Sequence, residues 1–180
     1  MSAGLLIIDR DSLLRSNLDH RLRIERYRIF TSDRPDEIMK MMRKKRIDVV
    51  LLNLVDLRNE GLRLLTQLKA LRPLVEVILI NQSSQIALSI EGMKRGAFDD
   101  FLLPFDMNQL LTRIQDAIAL KKQRRSRRKT FREKIDDIMI AVSFAEAGEI
   151  ETARQYLNRS DNRTGEEADT EKGHPDKTNT

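Results

Sequence analysis

Ile47-Asp48-Val49-Val50-Leu51-Leu52-Asn53-Leu54-Val55-Asp56-Leu57-Arg58-Asn59-Glu60-Gly61 decides the fold of this chain. Val49 to Leu52 are apolar without a break, and two of them are β-branched. Such a run predicts a strand buried on both faces, as in the middle of a parallel sheet. Asn53 ends the run and would stand at the sheet's carboxyl edge, where open α/β sheets carry their chemistry. A polar loop follows, and Gly61 opens a helical pattern. An amide therefore stands where a reactive group would be expected.

The same signature recurs on both sides. Leu5-Leu6-Ile7-Ile8 is a short apolar run that delivers Asp9-Arg10-Asp11 to the same edge. Ser12 is expected to cap a helix bearing Leu13, Leu14, Leu18 and Leu22. Tyr27 to Phe30 reads as a strand, followed by an amphipathic helix with Ile38, Met41 and Met42. Beyond the central strand, Leu62, Leu64, Leu65, Leu68 and Leu71 mark a helix that stops at Pro73. Val75 to Ile80 is a fourth strand ending at Asn81, and Ile86 to Lys94 a helix closed by Gly96. Phe101 to Leu103 is a fifth strand, and Asp106 with Gln109 forms a capping box before Leu110, Leu111, Ile114, Ala117 and Ile118. Strand and helix alternate five times in about 120 residues, which predicts a five-stranded parallel, doubly wound, flavodoxin-like sheet with helices on both faces.

Composition sets the outer limits. The chain has 180 residues, 40% hydrophobic and 4% aromatic, so its core is mostly aliphatic. There is no cysteine, which excludes disulfides and thiolate metal sites. No apolar run approaches the ~20 residues of a membrane span. A first strand from about Leu5 leaves no room for a signal peptide, and a cytoplasmic location is the expectation. The net charge of +5 is concentrated in Lys121, Lys122, Arg124, Arg125, Arg127, Arg128 and Lys129.

The last third is a different kind of sequence. No glycine or proline occurs from Phe105 to Ala147, so the fifth helix either runs through the basic stretch as one rod or breaks near Arg125 to Lys129. Ile135, Ile138, Met139, Val142 and Ala145 form an apolar stripe, Gly148 is placed to end that helix in the left-handed conformation, and Ile150, Ala153 and Leu157 form a second stripe. The division expected is a sheet domain over 1–120, a basic linker or helix continuation over 121–130, a helical hairpin over 131–158, and a disordered tail over 159–180.

With these elements in place, the chain resembles the receiver domain of bacterial two-component response regulators over about residues 4 to 120. The resemblance is carried by Ile7-Ile8-Asp9-Arg10-Asp11, by Asn53 with Gly61 eight residues on, and by Gly96-Ala97-Phe98-Asp99-Asp100-Phe101-Leu102-Leu103-Pro104-Phe105. In that family the last motif usually reads Gly-Ala-x-Asp-Tyr-Leu-x-Lys-Pro-Phe. The resemblance implies five site groups: two acids that hold Mg²⁺, a phosphoaccepting aspartate, a Thr or Ser, and a Lys. Asp9 matches the first acid. Arg10 replaces the second, Asn53 the acceptor, Asn81 the Thr or Ser, and Leu103 the Lys. The Asn53 amide offers no carboxylate nucleophile. Asp9, Asn53 and the Val55 carbonyl would give Mg²⁺ a single negative charge. The chain thus resembles a degenerate pseudo-receiver, with no metal, no cofactor and no small-molecule substrate.

Arg10 is expected either to substitute for the metal, pairing with Asp9 or Asp11 and donating to the Asn53 oxygen, or to point to solvent. Asp56 is a solvated loop acid, with a minor reading as substitute acceptor. His20 and His174 lack ligand partners. By analogy with the family, Asp99, Asp100, Phe101 and Arg113 mark a docking face built from helix four, strand five and helix five, with Phe101 fixed rather than switching. Ala145 to Leu157 resembles the turn and second helix of a tetratricopeptide repeat, in a single copy. The expected function is a non-enzymatic, phosphorylation-independent docking scaffold in two-component-type signalling. Its partners are proteins, including a second copy through the docking face or the C-terminal helices. The alternative is an adaptor held to nucleic acid or an anionic membrane by residues 121–129.

Overall fold

A computed structural model describes residues 2–159 of the chain, so the tail expected over 159–180 lies outside the described residues except for its first position. The elements in order are β1 (Gly4–Ile8), α1 (Ser12–Ile24), β2 (Arg28–Ser32), α2 (Pro35–Lys44), β3 (Val49–Asn53), α3 (Arg58–Leu71), β4 (Glu76–Gln82), α4 (Ile86–Lys94), β5 (Asp99–Leu103) and α5 (Met107–Glu146). A further helical stretch, α6, covers 150–159. Two compact units are distinguished, Met1–Gln123 and Arg124–Thr180. No helix among the described residues is long and apolar enough to cross a membrane.

The first unit is a five-stranded parallel sheet in the order β2-β1-β3-β4-β5. β3 is central, and all five of its residues are buried. Side chains alternate across a strand, and the two faces of the sheet sort accordingly. Leu6, Ile8, Val50, Leu52, Val77 and Leu79 pack with Ile38 and Met42 of α2 and Leu62, Leu65 and Leu68 of α3. Leu5, Ile7, Val49, Leu51, Ile78 and Ile80 pack with Leu18 and Leu22 of α1 and with Leu110, Ile114 and Ala117 of α5. An unbroken apolar run in β3 is what a strand covered on both sides requires.

Most departures from the sequence reading are at element ends. The cap of α1 is Asp11 rather than Ser12: its Oδ1 accepts the N–H groups of Leu13 and Leu14 at 2.8 and 3.2 Å. β2 begins one residue later and ends two residues later than the sequence reading, β4 continues to Gln82, and β5 begins at Asp99. α3 begins at Arg58, so Gly61 lies one turn inside it; a Cβ there would come within 2.5 Å of the Leu54 side chain. Gly96 closes α4 at φ +88°, a conformation open to glycine. The Leu103–Pro104 peptide is cis.

α5 is one helix through the basic run, settling the choice left open by the sequence. In the second unit α5 is followed by a turn at Gly148, φ +81°, and then α6. The stripe expected to close this hairpin is not the one that does. Ala141 and Ala153 are buried and Phe144 stacks on Tyr156 with ring centroids 5.7 Å apart, whereas Ile135, Met139 and Val142 remain exposed.

Candidate functional site: the carboxyl edge of the sheet

β1 and β3 are neighbours, so their ends bring Asp9 and Asn53 together. Asp9, Asn53 and Asn81 are 1%, 3% and 0% exposed. Asn53 Nδ2 donates to Asp9 Oδ1 at 2.9 Å, and the backbone N–H of Asp11 donates to the same oxygen at 2.9 Å. The Asn53 Oδ1 accepts the N–H of Val55 at 2.9 Å. Both ends of the amide are therefore used inside the protein. Asp9 Oδ2 is buried with no hydrogen-bond partner among the described residues. Burial pushes the Asp9 carboxyl above its ordinary range, against the hydrogen bonds from Asp11 and Asn53, with the charges of Asp11 and Asp56 adding to the rise.

Arg10 does not take the metal's place. Its Nη2 pairs with Glu60 Oε2 at 2.9 Å, with both side chains about half exposed. The expected pairing with Asp9 or Asp11 and the donation to Asn53 are replaced by this surface ion pair, in which Arg10, two residues past the end of β1, reaches Glu60 near the start of α3. The guanidinium that does reach Asp9 is Arg15, which donates from α1 to its backbone carbonyl, not to its carboxylate, and lies 3.6 Å from Asp33. Asp11 is committed to capping α1.

The rest of the edge is closed by uncharged groups. Asn81 Nδ2 donates to the Gln85 carbonyl at 2.9 Å and to Ser89 Oγ at 3.2 Å, and its Oδ1 accepts the N–H of Gln82. Gln85 Nε2 reaches the Val55 carbonyl at 3.4 Å. Gln85 went unread in the sequence; a polar residue four after a strand-ending Asn is its only local signal. Leu103 packs into the apolar cluster beside α5. Asp56 is exposed, as is His20, and His174 lies outside the described residues.

A divalent ion does not fit these groups. Mg²⁺ demands several oxygen ligands in octahedral array, with carboxylate charge among them. Here one carboxylate oxygen faces inward without a partner, the Asn53 oxygen is aimed at a backbone N–H, and the Val55 carbonyl faces an amide donor. Among the described residues no group of three or more His, Cys, Asp or Glu is placed to hold a metal ion.

The docking-face residues are brought together, but differently from expectation. Arg113 pairs with both Asp99 and Asp116 and lies over the Phe98 ring at 5.2 Å, so its charge is satisfied within the domain. Phe101 is buried and meets Phe105 edge-to-face at 5.6 Å. Asp99, Phe101, Gln109, Thr112 and Arg113 line a groove of about 380 Å³. Asp100 is half-buried on β5. What this region exposes is apolar: Ile86, Ile90 and Met93 of α4 and Leu102 of β5. The sequence reading places a helix over Ile86 to Lys94 without saying which of its side chains are covered.

The basic run is divided by the structure. Lys121 is no polyanion contact: its Nζ donates to the Ile47 carbonyl at 2.6 Å and to Asp48 Oδ1 at 3.0 Å, at the opposite edge of the sheet. Lys122, Arg124, Arg125, Arg127, Arg128 and Lys129 are exposed along α5, with Lys129 paired to Glu133 one turn on.

Comparison with known proteins agrees with this architecture. The family model described as the response regulator receiver domain matches residues 5–115. The chain belongs to the response regulator receiver domain family, whose members serve two-component signalling. It is 28% identical over 120 residues to the DNA-binding transcriptional regulator NtrC of Salmonella typhimurium, covering 66% of this chain and 26% of that protein. It is 25% identical over 115 residues to the transcriptional regulatory protein ZraR of Escherichia coli O157:H7, covering 64% and 26%. The chain thus spans about a quarter of the length of these curated relatives. Among solved structures, NtrX from Brucella abortus aligns with TM-score 0.66 at 24% identity, over 72% of this chain and 29% of that one. A CheY-like receiver domain protein from Methanospirillum hungatei aligns with TM-score 0.63 at 20% identity, over 69% and 99%. These two likenesses speak to the fold alone. The matched family region ends before the hairpin.

Proposed function

We propose that this receiver domain works without phosphorylation, as a docking scaffold in a two-component-type pathway, with no enzymatic step and no cofactor of its own. The observation that carries the reading is the saturation of Asn53. The residue at the acceptor position is an amide whose nitrogen is bound to Asp9 and whose oxygen is bound to the Val55 N–H. It has neither the nucleophilic oxygen nor the freedom that phosphoryl acceptance demands. Asn81 and Leu103 support the same reading, since neither a free hydroxyl nor an ammonium is present to stabilise a phosphoryl group. The apolar surface of Ile86, Ile90, Met93 and Leu102 is the face such a scaffold offers to a protein partner. A cytoplasmic setting goes with this role.

Intact-mass measurement after incubation with Mg²⁺ and a small acyl-phosphate donor tests the reading. No mass change is expected. Addition of one phosphoryl group, on Asp9, Asp56 or any other carboxylate, overturns it. A second reading, attachment to a polyanion, rests on the exposed run 122–129. It predicts binding to duplex DNA or anionic vesicles that falls steeply with salt.

A further inference from the structure

The second unit leaves one helix face without a partner. On an α-helix, residues three and four apart share a face. Asp137, Ala141 and Phe144 of α5 share one, and α6 occupies it: Ala141 is 2% exposed, Ala153 of α6 is 5% exposed, and Phe144 stacks on Tyr156. Phe131, Ile135, Met139 and Val142 lie on the far side of the helix, roughly two fifths of a turn round. These four are 67%, 43%, 65% and 50% exposed. Large apolar side chains grouped on one exposed face mark an association surface.

The half-buried Ile138 and the exposed Ala145 flank that face on the side toward α6. With them, Phe131, Ile135, Ile138, Val142 and Ala145 follow one another at intervals of four, three, four and three. This is the alternation of a coiled-coil seam, which matches itself in a second identical helix. Residues 160–180 carry no apolar side chain larger than Ala168 apart from Pro175, so that segment cannot fill the seam.

Charge selects the orientation. At the N-terminal end of the seam stand Arg128, Lys129 and Arg132; at its C-terminal end, around the turn, stand Glu146, Glu149 and Glu151. A parallel pair would set basic end on basic end. An antiparallel pair with Ile138 opposite Val142 sets Ile135 opposite Ala145, and lays each basic end along the acidic turn of the other copy, at both ends at once. It also carries Phe131 toward the turn, where Ile150 is exposed. Complementary charges flanking such a seam set partner orientation.

We infer that residues 131–145 form an antiparallel homodimer seam, with a second copy of this chain packed on Phe131, Ile135, Ile138 and Val142. The inference is independent of the reading of the sheet edge.

The absence of native cysteine makes the test direct. Sedimentation of the full chain should show a concentration-dependent monomer–dimer equilibrium. The variant carrying Ile135→Glu and Val142→Glu should stay monomeric with unchanged helix content, because both side chains are exposed in the single chain. Single variants Arg132→Cys and Glu146→Cys should each fail to cross-link with themselves and should cross-link with each other when mixed. A chain that is monomeric at every concentration overturns the inference, whatever else it binds. So does a dimer that survives the double substitution. Self-cross-linking of Arg132→Cys overturns the antiparallel arrangement.

Discussion

Two buried aspartates sit at opposite edges of the same sheet, and their surroundings are reversed. Asp48, just before β3, receives the Gly4 N–H at 2.9 Å on one oxygen and the Lys121 ammonium at 3.0 Å on the other, with Arg46 at 3.9 Å. Burial opposes its charge, but the Gly4 N–H and Lys121 outweigh burial and hold the carboxyl below its ordinary range. Asp9, just after β1, has two donors on one oxygen, none on the other and no cation on its carboxylate, and burial carries it upward. The difference teaches what an ion pair does for a buried acid. At the Asp48 edge the fold supplies the positive charge from α5. At the Asp9 edge the family would supply it as a metal, and in this chain Arg10 has turned away to Glu60. A buried carboxylate without a cation costs stability. The Asp9 edge therefore carries an electrostatic cost that the Asp48 edge does not.

The comparison can be broken most sharply at Asp48. Replacing it by alanine leaves the Gly4 N–H without its acceptor and the Lys121 ammonium, still held by the Ile47 carbonyl, without its counter-charge, and should destabilise the domain by about 3 kcal/mol. Urea denaturation of the full chain measures this. A loss below about 1 kcal/mol would mean that the pair contributes little and that the two edges are alike.

The next effect is at Asn53. Asn53→Asp exchanges an N–H donor for a second carboxylate beside Asp9, and should cost roughly 2 kcal/mol at neutral pH. Added Mg²⁺ should recover part of that loss in the variant and leave the unaltered chain unmoved, in the same denaturation measurement. Strong Mg²⁺ stabilisation of the unaltered chain would contradict the uncharged closure of this edge.

The pH dependence should separate the two acids by sign. Asp48 has a lowered folded value, so its contribution is complete above the ordinary carboxyl value of 3.8 and is lost as pH falls through the lower one. Asp9 has a raised folded value, so it favours the folded state only when protonated, and that contribution is lost as pH rises from 3.8 through the raised value. Asp9→Asn should thus raise the denaturation midpoint at neutral pH, and the gain should shrink as pH falls toward 3.8. Asp48→Asn should lower the midpoint at neutral pH, with a deficit that narrows in acid. The smallest effect belongs to Arg10. Arg10→Ala removes a half-exposed pair and should change stability by less than about 0.5 kcal/mol.

The elements could be read from the chain because each is a local pattern. Val49 to Leu52 reads as a strand covered on both faces because the run is short, holds two β-branched residues and is apolar at every position. The Asn53 and Leu103 replacements could be read because each strand end delivers its next residue to one edge, whatever the surrounding packing. The partners could not. Arg10 and Glu60 are 50 residues apart, Gln85 and Val55 are 30 apart, and Lys121 and Asp48 are 73 apart. Lys121 looked like one charge among seven in a solvated run, and nothing in its neighbours distinguishes it from Lys122. The exposure of Ile86, Ile90 and Met93 on α4 and of Ile135, Met139 and Val142 on α5 was not legible for a related reason. Periodicity shows that a helix has an apolar face, but not whether another element arrives to cover it.

By itself, then, the sequence determined the order of strands and helices, the parallel sheet, and the amide at the acceptor position, because backbone pairing and side-chain alternation follow from residues a few places apart. The tertiary structure alone decided which acid is neutralised and which is stranded, and which apolar stripes face outward. Those outcomes depend on where a helix 70 residues away sets its lysine and on which of two faces α6 takes. Electrostatic and packing energies are set by distance in space, and only the folded chain fixes that distance.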